Sequence, residues 1–462
     1  MIKHECALIG IYDHEDASRL AYFGLYAQQH RGQESAGIVT RDANGLHERR
    51  DRGLVPDVFS ENDLQELKGR MAIGHTRYTT TGASFTRNAP PFLARSQGRD
   101  IVIAHNGNLV NAEELRDYLE GRGAIFTTDS DTEVVLHLLV RALRDHDIPD
   151  AVREVCKSIK GAYCLLIAVD NTMVAVRDPF GFHPLSLGRL DNSPVFASET
   201  CAFDLLEADY ERGIEAGEMF IVTPDGEHSE KLAGPIPDKP RQCIFELVYF
   251  ARPDSYVFNE QVYVCRKQMG WHLAHESTPD VDFVLPFPDS GVYSAVGFAQ
   301  CAEIPYEHAM IRNHYVGRTF IQPTQNMRNF SVRVKINPVR AMIEGKKICI
   351  VDDSIVRGTT MMTRVRKLRE LGAKEVHIRI SCPPVKYPCF YGVDFASPEQ
   401  LVAANYSLEE IRKQLDVDSL YYLSVEGLLR SVMHSDSYCL ACFTGEYPVP
   451  CANCNTHRGG CC

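Results

Sequence analysis

The sequence predicts two differently built halves in one chain, a layered α+β sandwich followed by an α/β half organised on a doubly wound parallel sheet. Three observations carry this. The length, 462 residues, exceeds what a single core usually supports. Up to about residue 223, short strands cluster before and after helical stretches, the order of a sandwich with separate layers. Beyond about residue 240, apolar β-branched runs alternate with helical ones, the order of a parallel sheet crossed by helices.

In the first half, strands are expected at 7–12, 101–105, 163–169 and 173–176, and helices at 111–120 and 131–144. The segment 224–240 holds four prolines and several charges and reads as the connection. In the second half, strands at 244–250, 283–287, 347–351 and 376–380 alternate with helices at 264–276, 292–301 and 359–371. The final stretch, 448–462, is cysteine-rich and expected outside any core. The expected divisions are therefore a removable leader at 1–5, a first domain at 6–230, a second at 231–447 and a tail at 448–462.

A net charge of −12 argues against general binding to nucleic acid or to an anionic membrane. No segment reaches eighteen uninterrupted apolar residues, and the start carries no secretory core, so a soluble, cytoplasmic protein is expected. Sixteen cysteines in a reducing compartment are buried apolar residues, catalytic thiols or metal ligands rather than bridges. Cys156, Cys164, Cys201, Cys265, Cys301 and Cys349 lie among apolar neighbours and read as small hydrophobes.

The run Ile348-Cys-Ile-Val-Asp352-Asp353-Ser354-Ile-Val-Arg357-Gly358-Thr359-Thr360 is the most informative in the second half. A strand ends on two carboxylates, and a turn rich in hydroxyls opens a helix whose N-terminus favours an anion. Ser354 to Thr360 suit a phosphate, while Asp352 and Asp353 suit ribose hydroxyls or a Mg²⁺ bridging to pyrophosphate. An Asp-Asp pair alone reads more often as solvated caps on a helix; the whole run reverses that weighting. It lacks the Gly-Lys-Ser/Thr of nucleoside triphosphate loops and the G-x-G-x-x-G of dinucleotide folds. It resembles the signature of type I phosphoribosyltransferases, which bind phosphoribosyl pyrophosphate (PRPP).

Cys6 by itself reads as a buried strand cysteine. Its company changes that: Gln29-His-Arg31-Gly-Gln-Glu-Ser-Ala-Gly37, Gly74-His-Thr-Arg77-Tyr78, His105-Asn106-Gly107-Asn108 and Ser130-Asp131-Thr-Glu133 follow in order. Together they resemble the class II glutamine amidotransferase domain, an N-terminal-nucleophile hydrolase with an αββα sandwich. The resemblance implies removal of residues 1–5, so that the α-amine of Cys6 serves as base to its own thiol; the two titrate about one unit apart. It further implies an oxyanion hole from Asn106 and Gly107, a glutamine carboxylate held by Arg77 and an α-ammonium held by Asp131, with Arg31 supporting the glutamine site from behind. Each also has a plain reading: Asn-Gly is a common turn, Arg77 a strand residue and Asp131 a helix cap. Ala7 departs from the glycine common in relatives.

Both halves together resemble the glutamine PRPP amidotransferase family, and in particular its iron–sulfur subgroup. Tyr249-Phe-Ala-Arg-Pro-Asp-Ser255, Pro288-Asp289-Ser290-Gly291, Gly317-Arg318-Thr-Phe-Ile-Gln-Pro-Thr-Gln325 and Val332-Arg-Val-Lys335-Ile-Asn-Pro338 support this. The resemblance implies that PRPP is held by Asp289, Gly291, Arg318, Lys335, Ser354, Arg357, Gly358, Thr359 and Thr360, with Ser290, Asp352 and Asp353 at Mg²⁺. The stretch 312–337 is the expected lid, with His314 where relatives commonly carry Arg. Cys243, Cys389, Cys439 and Cys442 are the implied ligands of a 4Fe–4S cluster, with a Cys₄ zinc site as the physical competitor. Cys382 is the near miss to Cys389, and Cys451, Cys454, Cys461 and Cys462 fall outside the resemblance. Glutamine and PRPP as substrates, purine nucleotides as inhibitors and a homo-oligomer are family expectations. A silent regulatory homologue is the alternative from another class, disfavoured because every motif residue with a chemical role is present. A sugar-isomerising amidotransferase would lack the acidic PRPP loop.

Overall fold

Cys6 leads into a strand, Ala7–Ile11, that is buried at every position because it lies in the middle of a seven-stranded antiparallel sheet. The computed structural model describes residues 6–77, 86–234, 236–313, 336–393, 395 and 397–450. Edge to edge, the first sheet runs Asp209–Gly213, Ser186–Leu190, Ser193–Ala197, Ala7–Ile11, Met71–Arg77, Ser35–Asp42 and Gly45–Arg52. A second antiparallel sheet runs Gly226–Lys231, Glu218–Thr223, Thr172–Arg177, Gly161–Val169, Arg99–Leu109 and Phe92–Ser96.

The sheets face each other across Leu8, Ile73, Val102, Leu166, Phe196 and Phe220. Helix Ala17–Ala27 covers the outer face of the first sheet, setting Ala17, Ala21 and Leu25 against Ile9 and Ile11. Helices Asp131–Ala142 and Ile148–Ser158 cover the second, with Val135, Leu139 and Val152 on Ile103 and Ile167. This is the αββα sandwich. Asp147 begins the second of these helices by accepting the Asp150 main-chain N–H. The segment 224–240 is not all connection, since Gly226–Lys231 forms the last strand of the second sheet. It is an exposed, charged edge strand, the composition by which sheets avoid edge pairing, and it therefore looks like a linker.

In the second half a parallel sheet runs Phe283–Pro286, Lys347–Asp352, Glu375–Ile380 and Ser419–Tyr422, with a further parallel bridge from Val284 to Tyr306. Helices Val262–Glu276, Val292–Ala302 and Thr359–Glu370 pack around it. Strand Phe283–Pro286 has Tyr306 on one side and Lys347–Asp352 on the other. The winding therefore reverses there, and the carboxyl ends of these two strands border a crevice.

Segment 244–250 is not a strand. It forms a π-helical turn, Glu246–Phe250, with Ile244, Phe245, Leu247 and Val248 buried in the core. A continuous apolar run does not distinguish these outcomes. Just before it, Gln242–Cys243 pairs in parallel with Tyr438–Cys439. No described helix is long and apolar enough to cross a membrane. Residues 1–5, Tyr78, His314, Arg318, Lys335, Cys451, Cys454, Cys461 and Cys462 lie outside the described residues.

Two candidate active sites and a cysteine-lined cavity

The first site gathers at the start of strand Ala7–Ile11. Cys6 is buried and donates its main-chain N–H to Asn106 Oδ1 at 3.3 Å. Ala7 pairs with Thr76, so extending the register by one pair sets Cys6 opposite Arg77, which is also buried. Asn106 Nδ2 is a buried donor with no partner among the described residues, free for an acceptor on a ligand. Gly107 has φ +146°, and a Cβ there would lie 2.1 Å from Ala162 O, so only glycine fits beside Asn106.

Asp131 begins helix Asp131–Ala142 and accepts the Leu109 N–H at 3.1 Å, with Oδ1 3.5 Å from His105 Nδ1. Burial would raise its carboxyl, but His105 and the main-chain N–H groups of Leu109 and Thr132 outweigh that and hold it below the usual value. A stable negative charge therefore sits near Asn106 and Gly107, suited to an ammonium group. His75 is pushed down to about 3 by burial and stays neutral, with Nε2 2.9 Å from His105 O.

Arg31 stands behind Cys6. Its Nε donates to Cys6 O at 3.1 Å, Nη1 to Glu199 Oε1 at 2.6 Å and to Glu246 Oε2 at 2.9 Å, and Nη2 to Glu246 Oε1 at 2.8 Å. Burial would raise Glu199, yet His30 and Arg31 hold it at about 2. Sequence reasoning singled out neither Glu199 nor Glu246. Glu199 lies outside every quoted motif, and Glu246 sits inside an apolar run with nothing local to mark it.

The second site occupies the crevice. Phe287 N–H donates to Val351 O at 2.8 Å, which locks the turn Pro288–Gly291 against the end of Lys347–Asp352. A Cβ on Gly291 would meet Val351 O at 2.3 Å, so the close approach requires glycine. Ser290 Oγ donates to Asp352 Oδ1 at 3.2 Å, and Ser354 Oγ donates to Asp353. Burial first, and Asp353 second, push the Asp352 carboxyl well above its ordinary value. Two buried carboxylates crowding each other in this way fit a divalent cation between them. Gly358 caps helix Thr359–Glu370, and Arg357, Thr359 and Thr360 are exposed at its N-terminus. Arg312 donates to Asp289 at the crevice rim.

Cys243, Cys389, Cys439 and Cys442 line one cavity together with Phe182 and Tyr391. Cys243 and Cys439 are register partners, and the Tyr391 main-chain N–H donates to Cys389 Sγ at 3.3 Å. Burial, with Cys389 adding to it, pushes the Cys439 thiol up to about 12, and burial with Cys439 and Cys389 pushes the Cys442 thiol well above its ordinary value. Cys389, Cys439 and Cys442 are thus close enough to oppose one another's ionisation, the donor chemistry that suits a cationic group. Among the described residues no three His, Cys, Asp or Glu side chains converge on a single metal ion. Cys382 is fully buried, does not line the cavity and donates to Pro383 O. Cys156, Cys164, Cys201, Cys265 and Cys349 are buried as expected, and Cys301 is partly so.

A glutamine amidotransferase domain family model matches residues 75–204. Amidophosphoribosyltransferase 1, chloroplastic, of Arabidopsis thaliana is 48% identical over 461 residues, covering 99% of this chain and 81% of the relative. The Bacillus subtilis amidophosphoribosyltransferase is 46% identical over 454 residues, covering 97% and 95%. A solved structure of the B. subtilis glutamine PRPP amidotransferase complexed with ADP and GMP matches with TM-score 0.90 and 45% identity, covering 96% of this chain and 98% of that one. With identity of this order running through both halves, the chain belongs to the amidophosphoribosyltransferase family.

Proposed function

We infer that the two sites perform consecutive halves of one reaction. The chain is a glutamine-dependent amidophosphoribosyltransferase: it converts PRPP, glutamine and water to phosphoribosylamine, glutamate and pyrophosphate, the first step of de novo purine synthesis. The assignment of roles to residues is our proposal. Removal of residues 1–5 leaves the nitrogen of Cys6 as an α-amine held at Asn106 Oδ1, where it takes the thiol proton. The thiolate attacks the glutamine amide; Asn106 Nδ2 and the Gly107 N–H stabilise the oxyanion, and Arg77 and Asp131 hold the amino acid's two charges. The Cys6 α-ammonium passes that thiol proton to the departing nitrogen as the tetrahedral intermediate collapses and expels ammonia, and water releases glutamate from the thioester. Arg31 positions Cys6 rather than touching glutamine.

In the second half, residues 354–360 hold the 5′-phosphate of PRPP and the turn around Ser290 and Gly291 holds pyrophosphate. Asp289, Arg318 and Lys335 complete the PRPP contacts, the last two as part of a lid. Ammonia displaces pyrophosphate at the ribose carbon with inversion. Ser290, Asp352 and Asp353 would hold Mg²⁺, which neutralises charge building on the leaving group when bound. The four cysteines around one cavity support a 4Fe–4S cluster, which Cys243, Cys389, Cys439 and Cys442 would hold and which would supply a structural cross-link between the C-terminal segment and the transferase domain. Zinc is the second reading. The proposal includes a cytoplasmic setting, a homo-oligomer and binding of purine nucleotides, the last supported by the ADP and GMP complex of the B. subtilis relative.

The observation that carries the residue roles is the meeting of Cys6, Asn106, Gly107 and Asp131 in one half while Ser290 and Asp352 meet in the other. Intact mass and substrate-dependent pyrophosphate release on one preparation test it. Loss of the first five residues with activity requiring both PRPP and glutamine is expected; activity in a chain that retains them would refute the role of the α-amine.

A further inference from the structure

The residues around Cys6 are not supplied by the first half alone. Glu246, the first residue of the π-helical turn in the second half, is wholly buried and grips Arg31 through both carboxylate oxygens, at 2.8 and 2.9 Å. Arg31 in turn holds the Cys6 carbonyl at 3.1 Å. Glu199 completes the arrangement: one oxygen takes Arg31 Nη1, and the other accepts the Arg252 main-chain N–H at 2.8 Å and Ser255 Oγ at 2.7 Å, both from the second half. A second seam lies two residues past Asn106. There Asn108 Nδ2 donates to Phe390 O at 3.0 Å, and His183 Nε2 lies 2.6 Å from Tyr391 O.

Charge balance alone does not explain this. Glu199 lies against both Arg31 and His30, and Glu246 Oε1 lies 3.5 Å from His183 Nδ1 as well as on Arg31, yet a second buried carboxylate still carries a desolvation cost. What the second carboxylate adds is geometry, because a guanidinium held by two oxygens in a fork is fixed in plane and in rotation. The bond from Nε to Cys6 O is then fixed as well. Attack on an amide is sensitive to displacement of the nucleophile, with about 1 Å enough to cost on the order of 100-fold in rate.

We propose that Glu246 is a positioning residue of the glutamine half-reaction, through which the transferase half, by way of Arg31, sets the main chain of Cys6 for attack. This rests on the roles given above to Cys6 and Asn106. Its consequence is that glutamine hydrolysis at full rate requires the two halves to be seated on each other, so the ammonia-producing site is complete only when the ammonia-consuming half is in place.

The test compares two reactions on the same full-length preparations: glutamine hydrolysis, and PRPP amination driven by added ammonium, which bypasses Cys6. Glu246→Gln is expected to lower kcat for glutamine about 10-fold or more, with KM for glutamine within about twofold, and to leave the ammonium-driven rate within about twofold. Arg31→Lys, which keeps the charge but loses the fork, is expected to show the same split. Unchanged glutamine kcat in Glu246→Gln would overturn the proposal, as would equal loss of both reactions, which would make Glu246 part of the general scaffold. A wild-type chain that fails to hydrolyse glutamine while using ammonium would overturn the functional reading of Cys6 itself, and this inference with it.

Discussion

Cys6 and Asn106 are joined by a hydrogen bond from the main-chain nitrogen of the first to Oδ1 of the second, at 3.3 Å. One amide thereby holds the Cys6 main chain while keeping its own Nδ2 available. Asn106→Ala should lower kcat for glutamine by about 10²- to 10³-fold, the range for loss of one oxyanion donor. Steady-state kinetics with glutamine and with ammonium check this, and the ammonium-driven rate should persist.

Gly107→Ala meets both an unfavourable φ and the Ala162 carbonyl. A loss of stability on the order of 3 kcal/mol is expected. Thermal unfolding of the variant should show it as a lowered Tm, together with loss of glutamine hydrolysis.

Asp352→Asn should abolish PRPP-dependent pyrophosphate release and spare basal glutamine hydrolysis, because Asp352 belongs to the crevice in the second half. Titration calorimetry with Mg²⁺ and PRPP should show weakened binding. Equal loss of both activities would argue against this division of labour.

Acid should destabilise the fold through Glu199. Its folded-state pKa of about 2 lies below the ordinary carboxyl value of 4.5, so the stabilisation is fully present above that value and is lost as pH falls towards 2. The difference amounts to roughly 3 kcal/mol. His75 acts in the same sense from a higher pH, since it is neutral when folded and takes up a proton on unfolding below about 6.5. Tm measured from pH 7 to pH 3 should fall, and Glu199→Gln should flatten the lower part of that curve.

Cys389→Ser should lower iron and sulfide content and blue-region absorbance in anaerobically purified protein, while Cys382→Ser should leave both unchanged. Equal iron content in both variants would refute the ligand set; zinc in place of iron would favour the second reading.

Much of this arrangement was legible because the chemistry sits in short runs. Asp352-Asp353 places polar groups where a continuous buried apolar strand stops, and His105-Asn106-Gly107 does the same within the last five residues of strand Arg99–Leu109. The edge strand Gly226–Lys231 escaped because its side chains face solvent on both sides and carry no alternation. The turn Glu246–Phe250 escaped for the opposite reason: no side of it is exposed, Glu246 to Val248 being buried and Tyr249 and Phe250 half-buried, so its mostly apolar run fits strand and helix alike. Glu199 and Glu246 were illegible in principle, since their partner Arg31 lies 168 and 215 positions away and nothing near any of the three announces the pairing.

The pairing of Cys243 with Cys439 sets an order on biosynthesis. These positions are roughly 200 residues apart, so Cys243 cannot meet its partner until the intervening chain has been synthesised. The partners of Arg31 and Glu199 in the second half, Glu246, Arg252 and Ser255, follow Cys243 closely and are synthesised long before Cys439. The cysteine-lined cavity can therefore close only after every residue assigned above to the two candidate sites has been synthesised.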